Sequence, residues 1–144
     1  MQTSTSTQTR SQVRFVVEDR VLMVIQGNHR PTDASHSAFL QFMRDHGHEY
    51  DAMLVFSPGG TPDMVQRKKM VEVLNLKRRP IAVLTHSKIV RGVVTAVSWF
   101  VETPLKPFAP EDIDAAITFI GQGTNADRVQ RNMEEQIRRG APNL

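Results

Sequence analysis

A chain of 144 residues with 40% hydrophobic content is one domain with tails, and a core of roughly 110 residues can bury about two thirds of its unfolded surface without help from a metal or a disulfide. The absence of cysteine excludes a disulfide framework and a thiolate metal site and suits a reducing cytosol, and no apolar run approaches the ~20 residues that span a membrane. The net charge is only +3 but is unevenly placed, with eight basic residues against the single acid Glu72 between residues 67 and 91. Such asymmetry marks either an anionic partner or a set of solvated helix ends, and solvated ends are the commoner case.

Residues 1–12 are rich in Ser, Thr and Gln and lack an apolar h-region, which predicts a disordered leader and not a signal peptide. Residues 13–17 and 21–25 are two strand-like runs around Glu18, Asp19 and Arg20, a hairpin whose second, continuously apolar run belongs deeper in the sheet. After a loop at residues 27–31, Thr32 or Asp33 can cap a helix running to about His46, with Phe39, Leu40, Phe42 and Met43 inward and Gly47 as its stop.

Residues 53–56 form the next buried strand, followed by the loop Ser57-Pro58-Gly59-Gly60-Thr61-Pro62-Asp63. Here Thr61 suits the N-cap, Pro62 the first helical position, and Asp63 the positive end of a helix. That helix is expected to turn Met64, Val65, Met70, Val71, Val73 and Leu74 inward and residues 67–69 outward.

The short run Ile81-Ala82-Val83-Leu84 is the strand buried on both faces at the centre of the chain, and Ser87 can cap the helix that follows. On that helix Lys88, Arg91, Thr95, Ser98 and Glu102 recur at spacings of three and four as one polar stripe. Ile89, Val90, Val93, Val94, Val97, Phe100 and Val101 fill the rest of the circumference, so most of it is expected to be covered. A buried strand feeding such a helix is half of a parallel βαβ unit.

Residues 105–109 have strand character but carry Pro107, and Pro104 precedes them, which places them at a sheet edge because proline cannot donate to a ladder. Pro110, Glu111 and Asp112 open a helix with Ile113, Ala116, Ile117 and Ile120 on one face and Gly121 as its stop. Beyond a hinge at residues 121–124, a charged helix over 125–139 carries only the narrow stripe Val129, Met133 and Ile137, which could pack on the domain, on a partner or barely at all. The order is ββαβαβαβα with a terminal helix, without internal repeat, dividing into a domain over 13–121 and a hinge with a charged helix over 122–144.

No nucleophile–base pair, metal set or cofactor fingerprint is complete. Glycines ahead of a helix at the carboxyl end of a strand can hold an anion on free amides, so Ser57, Gly59, Gly60, Thr61 and Asp63 form the best candidate site, although a plain capped loop has the same residues. His36 and His46 share a helix but are too far apart for one metal, and His86 beside Ser87 has no third group for a triad. Gly92 and Ala96 are small at i and i+4, for close packing on the sheet or for the approach of a partner helix near Arg91, Thr95 and Trp99. Basic residues are not interleaved with aromatics, so nucleic acid is not an expected partner.

The run IAVLTHSKIVRGVVTAVSWF, followed by KPF, then Pro-Glu-Asp and Ala-Ala, resembles the STAS-like, SpoIIAA-like proteins of bacteria, relatives of the anti-sigma-factor antagonists, over about residues 13–121. The resemblance implies an α/β fold: a βα superhelix with a mixed five-stranded sheet, helices packed on it, and here an extra C-terminal helix. It also implies a non-enzymatic, cytoplasmic protein-binding role without metal or cofactor, the partner being another protein or a second copy of the chain. Regulated antagonists carry an Asp-Ser-Ser/Thr-Gly-type motif whose serine is phosphorylated. Ser57-Pro-Gly-Gly-Thr61-Pro-Asp63 stands at that place and does not reproduce it, which predicts a module without the usual phosphoserine switch. The candidate binding residues are therefore Ser57, Gly59, Gly60, Thr61, Asp63, Ser87, Lys88, Arg91, Thr95 and Trp99, with a small anionic or nucleotide ligand on the 57–63 loop as the alternative.

Overall fold

Three runs without a polar residue form the middle of the sheet, because a strand covered on both faces has no side that water must solvate. They are β2 (Val21–Ile25), β3 (Ala52–Phe56) and β4 (Ile81–Leu84) in a computed structural model that describes residues 12–140. The leader expected over residues 1–12 thus falls, apart from Gln12, outside the described residues. With β1 (Arg14–Glu18) and β5 (Leu105–Phe108) the sheet has the order β1-β2-β3-β4-β5. The β1–β2 pair is antiparallel and the other three pairs are parallel, so the sheet is mixed and five-stranded, as the resemblance implies. Pro107 is confined to the edge strand, opposite Val83.

A strand order that rises monotonically dictates where the helices go. Each parallel crossover takes the same right-handed path, so every crossover helix must lie on the same face of the sheet. Accordingly α1 (Asp33–His46), α2 (Met64–Leu76) and α3 (Lys88–Ser98) pack over Leu22, Val24, Met53, Ile81 and Val83. The opposite face, with Val21, Met23, Ile25, Ala52, Leu54, Ala82 and Leu84, is left to α4 (Ile113–Phe119) and α5 (Ala126–Arg139). The charged terminal helix therefore packs on the domain: Val129 and Met133 are fully buried, and Arg14 donates to the Gly140 carbonyl at 2.8 Å and to Gln136.

The hairpin turn consists of Asp19 and Arg20 alone, both with positive φ (54° and 61°), a conformation that matches the strand twist but disfavours side chains other than glycine. Polar contacts hold it. Arg20 grips Asp51 through two bonds of 2.8 and 2.9 Å, and Asp19 accepts from Asn132 of α5 at 2.8 Å.

Several local expectations change. Asp63, not Thr61, caps α2: its carboxylate accepts from the Gln66 amide at 2.8 Å while the Gln66 side chain accepts from the Asp63 amide at 2.9 Å. This reciprocal box satisfies two orphan donors at once, where a lone Thr hydroxyl satisfies one. The later start rotates the helix, so Met64 and Val65 face outward and Gln66 is buried. Gly47 ends α1 in a right-handed conformation and not as a left-handed stop; a Cβ there would meet only the flexible end of Lys77, which can swing aside, so neither dihedral nor packing requires the glycine.

Candidate functional site

The carboxyl ends of β2, β3 and β4 gather the loops that the sequence marks as chemically interesting. Ser57 follows β3 directly, with its amide bonded to the Leu84 carbonyl at 3.1 Å, and its carbonyl accepts from Thr85 Oγ1 at 2.7 Å. Thr85 Oγ1 also accepts from the Ser87 amide, and Ser87 Oγ accepts from the Val90 amide at 3.1 Å as the N-cap of α3. The loop at 57–63 and the start of α3 are thus tied by a short chain of hydrogen bonds.

Within the loop, Ser57 is 2% exposed and its hydroxyl donates to the Gly60 carbonyl at 2.7 Å. The Gly60 amide donates to the Gly27 carbonyl at 2.9 Å, while Arg30 meets Asp63 at 3.0 Å and Gln66 Nε2 reaches the Pro31 carbonyl at 3.0 Å. These bonds clasp the 27–31 and 57–63 loops together. They also occupy the groups that an anion would use: Gly60 spends its amide on protein, and the Asp63 carboxylate already sits on the α2 N-terminus. The Gln66 amide foremost, and Arg30 after it, hold that carboxyl below its ordinary range.

The other sequence candidates diverge. Lys88 and Thr95 are exposed and Arg91 is half-buried on α3, and Trp99, which caps its C-terminus, is exposed. Trp99 lies about 16 Å along the helix from Lys88, away from the 57–63 loop. Only Val90, Val94 and Val97 of α3 are buried, so the covering expected of most of its circumference is restricted to one face. Gly92 and Ala96 face solvent, and a Cβ on Gly92 would meet nothing within 4 Å, which removes close packing on the sheet as the reason for its size. His86 turns to Glu111 at 2.8 Å while Ser87 caps its helix, so the two neighbours do not converge. The basic cluster also disperses: Arg78 pairs with Glu102 at 2.8 Å, and Arg79 donates to the Tyr50 and Gly47 carbonyls at 2.9 and 3.0 Å. Among the described residues no three His, Cys, Asp or Glu side chains group as a metal site, and no helix is long and apolar enough to cross a membrane.

Beneath α1, α2 and α3 the sheet leaves a cavity of about 110 Å³, whose rim includes Ser57, Gly60, Thr61 and Pro62. Gln26 and His36 also line it, and neither was singled out from the sequence as a site residue. The signals were present. Gln26 continues the alternation of Leu22 and Val24 onto the inner face, and His36 begins the i, i+3, i+4, i+7 series with Phe39, Leu40 and Met43. Gln26 Oε1 and His36 Nε2 are buried without a hydrogen-bond partner among the described residues.

Burial pushes the His36 imidazole below its ordinary pKa of 6.5, against the opposing pull of Asp63 and Asp33 and with a smaller push from Lys69. The unfolded chain therefore takes up a proton that the folded chain resists. Stability on this account is full above 6.5 and falls as the pH drops below it. Denaturant midpoints at about pH 7.5 and about pH 5.5 are expected to show a larger loss for the native chain than for His36→Phe, in a window above the carboxylate titrations. Equal losses would remove His36 as the cause.

No protein-family model matches the chain, and no curated protein matches it. Among solved structures it is similar to a DUF3478-family protein of Shewanella loihica PV-4, described as having a SpoIIAA-like fold. The TM-score is 0.56 at 12% identity, over 76% of this chain and 94% of that one. At this identity the likeness is one of fold, and it agrees with the sheet order and the helix faces described above: the chain is an α/β domain with a SpoIIAA-like fold.

Proposed function

We propose that the protein is a cytoplasmic, non-enzymatic regulatory module that binds a partner protein through the outer face of α3. One observation carries this reading. Ile89 (74% exposed), Gly92 and Ala96 on the side of α3 that faces away from the sheet, and Trp99 (78%) and Phe100 (68%) in the turn just past its end, continue one helical spacing. Isolated exposed apolar residues are ordinary, but a continuous stripe ending in a tryptophan and a phenylalanine is the composition of a binding surface. The small Gly92 and Ala96 leave room for another backbone to approach, and Lys88 and Arg91 beside them have no acidic partner among the described residues. The matching partner is an amphipathic helix with an apolar face and acidic flanks.

This role does not need a phosphoserine switch. The Ser57 hydroxyl is buried and bonded within its own loop, out of reach of a kinase in the folded chain. The test is to recover the partner from the native cytosol on the full chain and then measure affinities with both proteins purified. Trp99→Ala and Phe100→Ala are each expected to weaken binding by about tenfold or more, with melting temperature unchanged because both side chains are exposed. Ser57→Ala is expected to bind within about twofold of the native chain, a change well below one hydrogen bond's worth. Undiminished binding by both α3 variants would refute the assignment of the surface.

A further inference from the structure

The two edges of the sheet are built differently. On β5 the Pro104 and Phe108 carbonyls accept from the Ile81 and Thr85 amides at 2.9 and 2.8 Å, so residues 104, 106 and 108 turn their backbone groups inward. Residues 105 and 107 therefore turn theirs outward, where Pro107 has no amide to offer, and Lys106 adds a charge to that edge. β1 carries neither proline nor lysine, and its register against β2 runs without a bulge from Arg14 to Glu18. Residues on the two sides of a two-residue turn exchange both backbone bonds, so Glu18 bonds inward to Val21, and Val16 and Arg14 follow at every second position. The amides and carbonyls of Phe15 and Val17 are left facing outward, and no other strand or loop among the described residues pairs with them.

We propose that β1 is the contact strand of a homodimer, in which a second copy adds its own β1 antiparallel and the two sheets become one. The strand, Arg14-Phe15-Val16-Val17-Glu18, selects this occupant because it complements itself. With Val16 opposite the partner's Val16 on the two-fold axis, Phe15 stands opposite the partner's Val17. Each such pair exchanges N–H···O bonds in both directions, all from groups that already point outward. The same register sets Arg14 opposite the partner's Glu18, twice by symmetry. Arg14 bonds to the neutral Gly140 carbonyl and Gln136, and Glu18 is exposed without an ion pair among the described residues, so both charges are available. Shifting the pairing by two residues either way breaks both charge pairs, and a parallel pairing sets like charges side by side. The layers agree as well. Phe15 and Val17 belong to the α1 side of the sheet and Val16 to the α5 side, so each residue meets one of its own layer. This surface is separate from the outer face of α3 and does not depend on it.

Sedimentation velocity of the full chain is expected to show a monomer–dimer equilibrium centred at about 10–100 µM, the weak range that a small interface supports. Amide exchange in dilute and concentrated samples locates the contact. The Phe15 and Val17 amides are expected to slow about fivefold or more in the concentrated sample, while the outward Leu105 amide of β5 is unchanged. Glu18→Arg, at an exposed position, should fold and weaken dimerisation by about tenfold or more, since it sets an arginine opposite Arg14. Val16→Cys gives this cysteine-free chain a single thiol on the two-fold axis, expected to form a disulfide dimer on mild oxidation, whereas Arg131→Cys is not. Three results would overturn the proposal. They are a monomer at about 1 mM, exchange at Phe15 and Val17 that is independent of concentration, or a dimer weakened by Trp99→Ala and indifferent to Glu18→Arg, which places the contact on α3.

Discussion

Replacing Gly60 by alanine is expected to cost about 3–5 kcal/mol, among the largest effects of any single methyl group in this chain. The reason is a close approach of backbones and not an unusual dihedral angle. A Cβ on Gly60 would stand 2.3 Å from the His29 carbonyl oxygen and 2.5 Å from that of Gly27. Neither oxygen belongs to a side chain that can swing aside, so the 27–31 and 57–63 loops would have to separate. Their separation breaks the Gly60–Gly27 bond and strains the Arg30–Asp63 and Gln66–Pro31 contacts that continue the clasp. At this size of domain the loss corresponds to a fall in melting temperature of roughly 10–20 °C. The neighbouring glycines provide the contrast. Gly59→Ala meets only the Asn28 carbonyl at 3.4 Å and is expected to be nearly silent. Gly92→Ala meets nothing within 4 Å on an exposed helix and is expected to stabilise by about 1 kcal/mol, the helix propensity difference. Calorimetric melting of the three variants checks the order, and a Gly60→Ala protein as stable as Gly59→Ala would contradict the loop geometry.

Met133→Ala is expected to be comparably damaging, at about 2–5 kcal/mol, although it lies on a helix rich in charge. Met133 is fully buried and packs in the cluster of Val21, Met23, Leu54 and Ile117. Because the three crossover helices occupy one face of the sheet, α4 and α5 are what keeps water from the other. Ending the chain after Gly121 would remove Val129 and Met133 together with the Arg14 and Asp19 contacts to α5. The shortened protein is expected to aggregate or unfold. Arg131→Ala on the same helix is exposed and should change stability by less than about 0.5 kcal/mol. Denaturant unfolding of Met133→Ala and Arg131→Ala measures the difference, and similar midpoints would mean that α5 contributes little to the core.

The strands were the most legible part of the sequence because continuous apolar runs such as Val21–Ile25 and Ile81–Leu84 have few alternative placements. Pro107 identified the edge, and Gly121, with φ of 80°, stops α4 as its position suggested. Helix faces were harder. Counting apolar residues on α3 implied a covered helix, but a crossover helix meets its sheet along one side, and nothing in composition says whether a second layer covers the rest. Thr61-Pro62 is a strong local start signal, yet the Asp63–Gln66 pair satisfies more backbone groups and moves the helix start by two residues. The role of α5 was open for a different reason: Val129, Met133 and Ile137 make a stripe too narrow to announce a core position, and only the sheet order makes it necessary. Gln26 and His36 escaped notice as members of the cavity because each is a single polar residue in an otherwise apolar period, and their place in its lining depends on tertiary packing.

The outer face of α3 can be tested most directly with a photo-crosslinking residue placed at Ala96, between Trp99 and Gly92, and in a second protein at Arg131 on the opposite layer. Both positions are exposed, so neither insertion should disturb the fold. After irradiation in the native cell, position 96 is predicted to give a covalent product with one defined protein, and position 131 none. Absence of a product from 96, or the same product in equal yield from both positions, would contradict a protein-binding surface on α3.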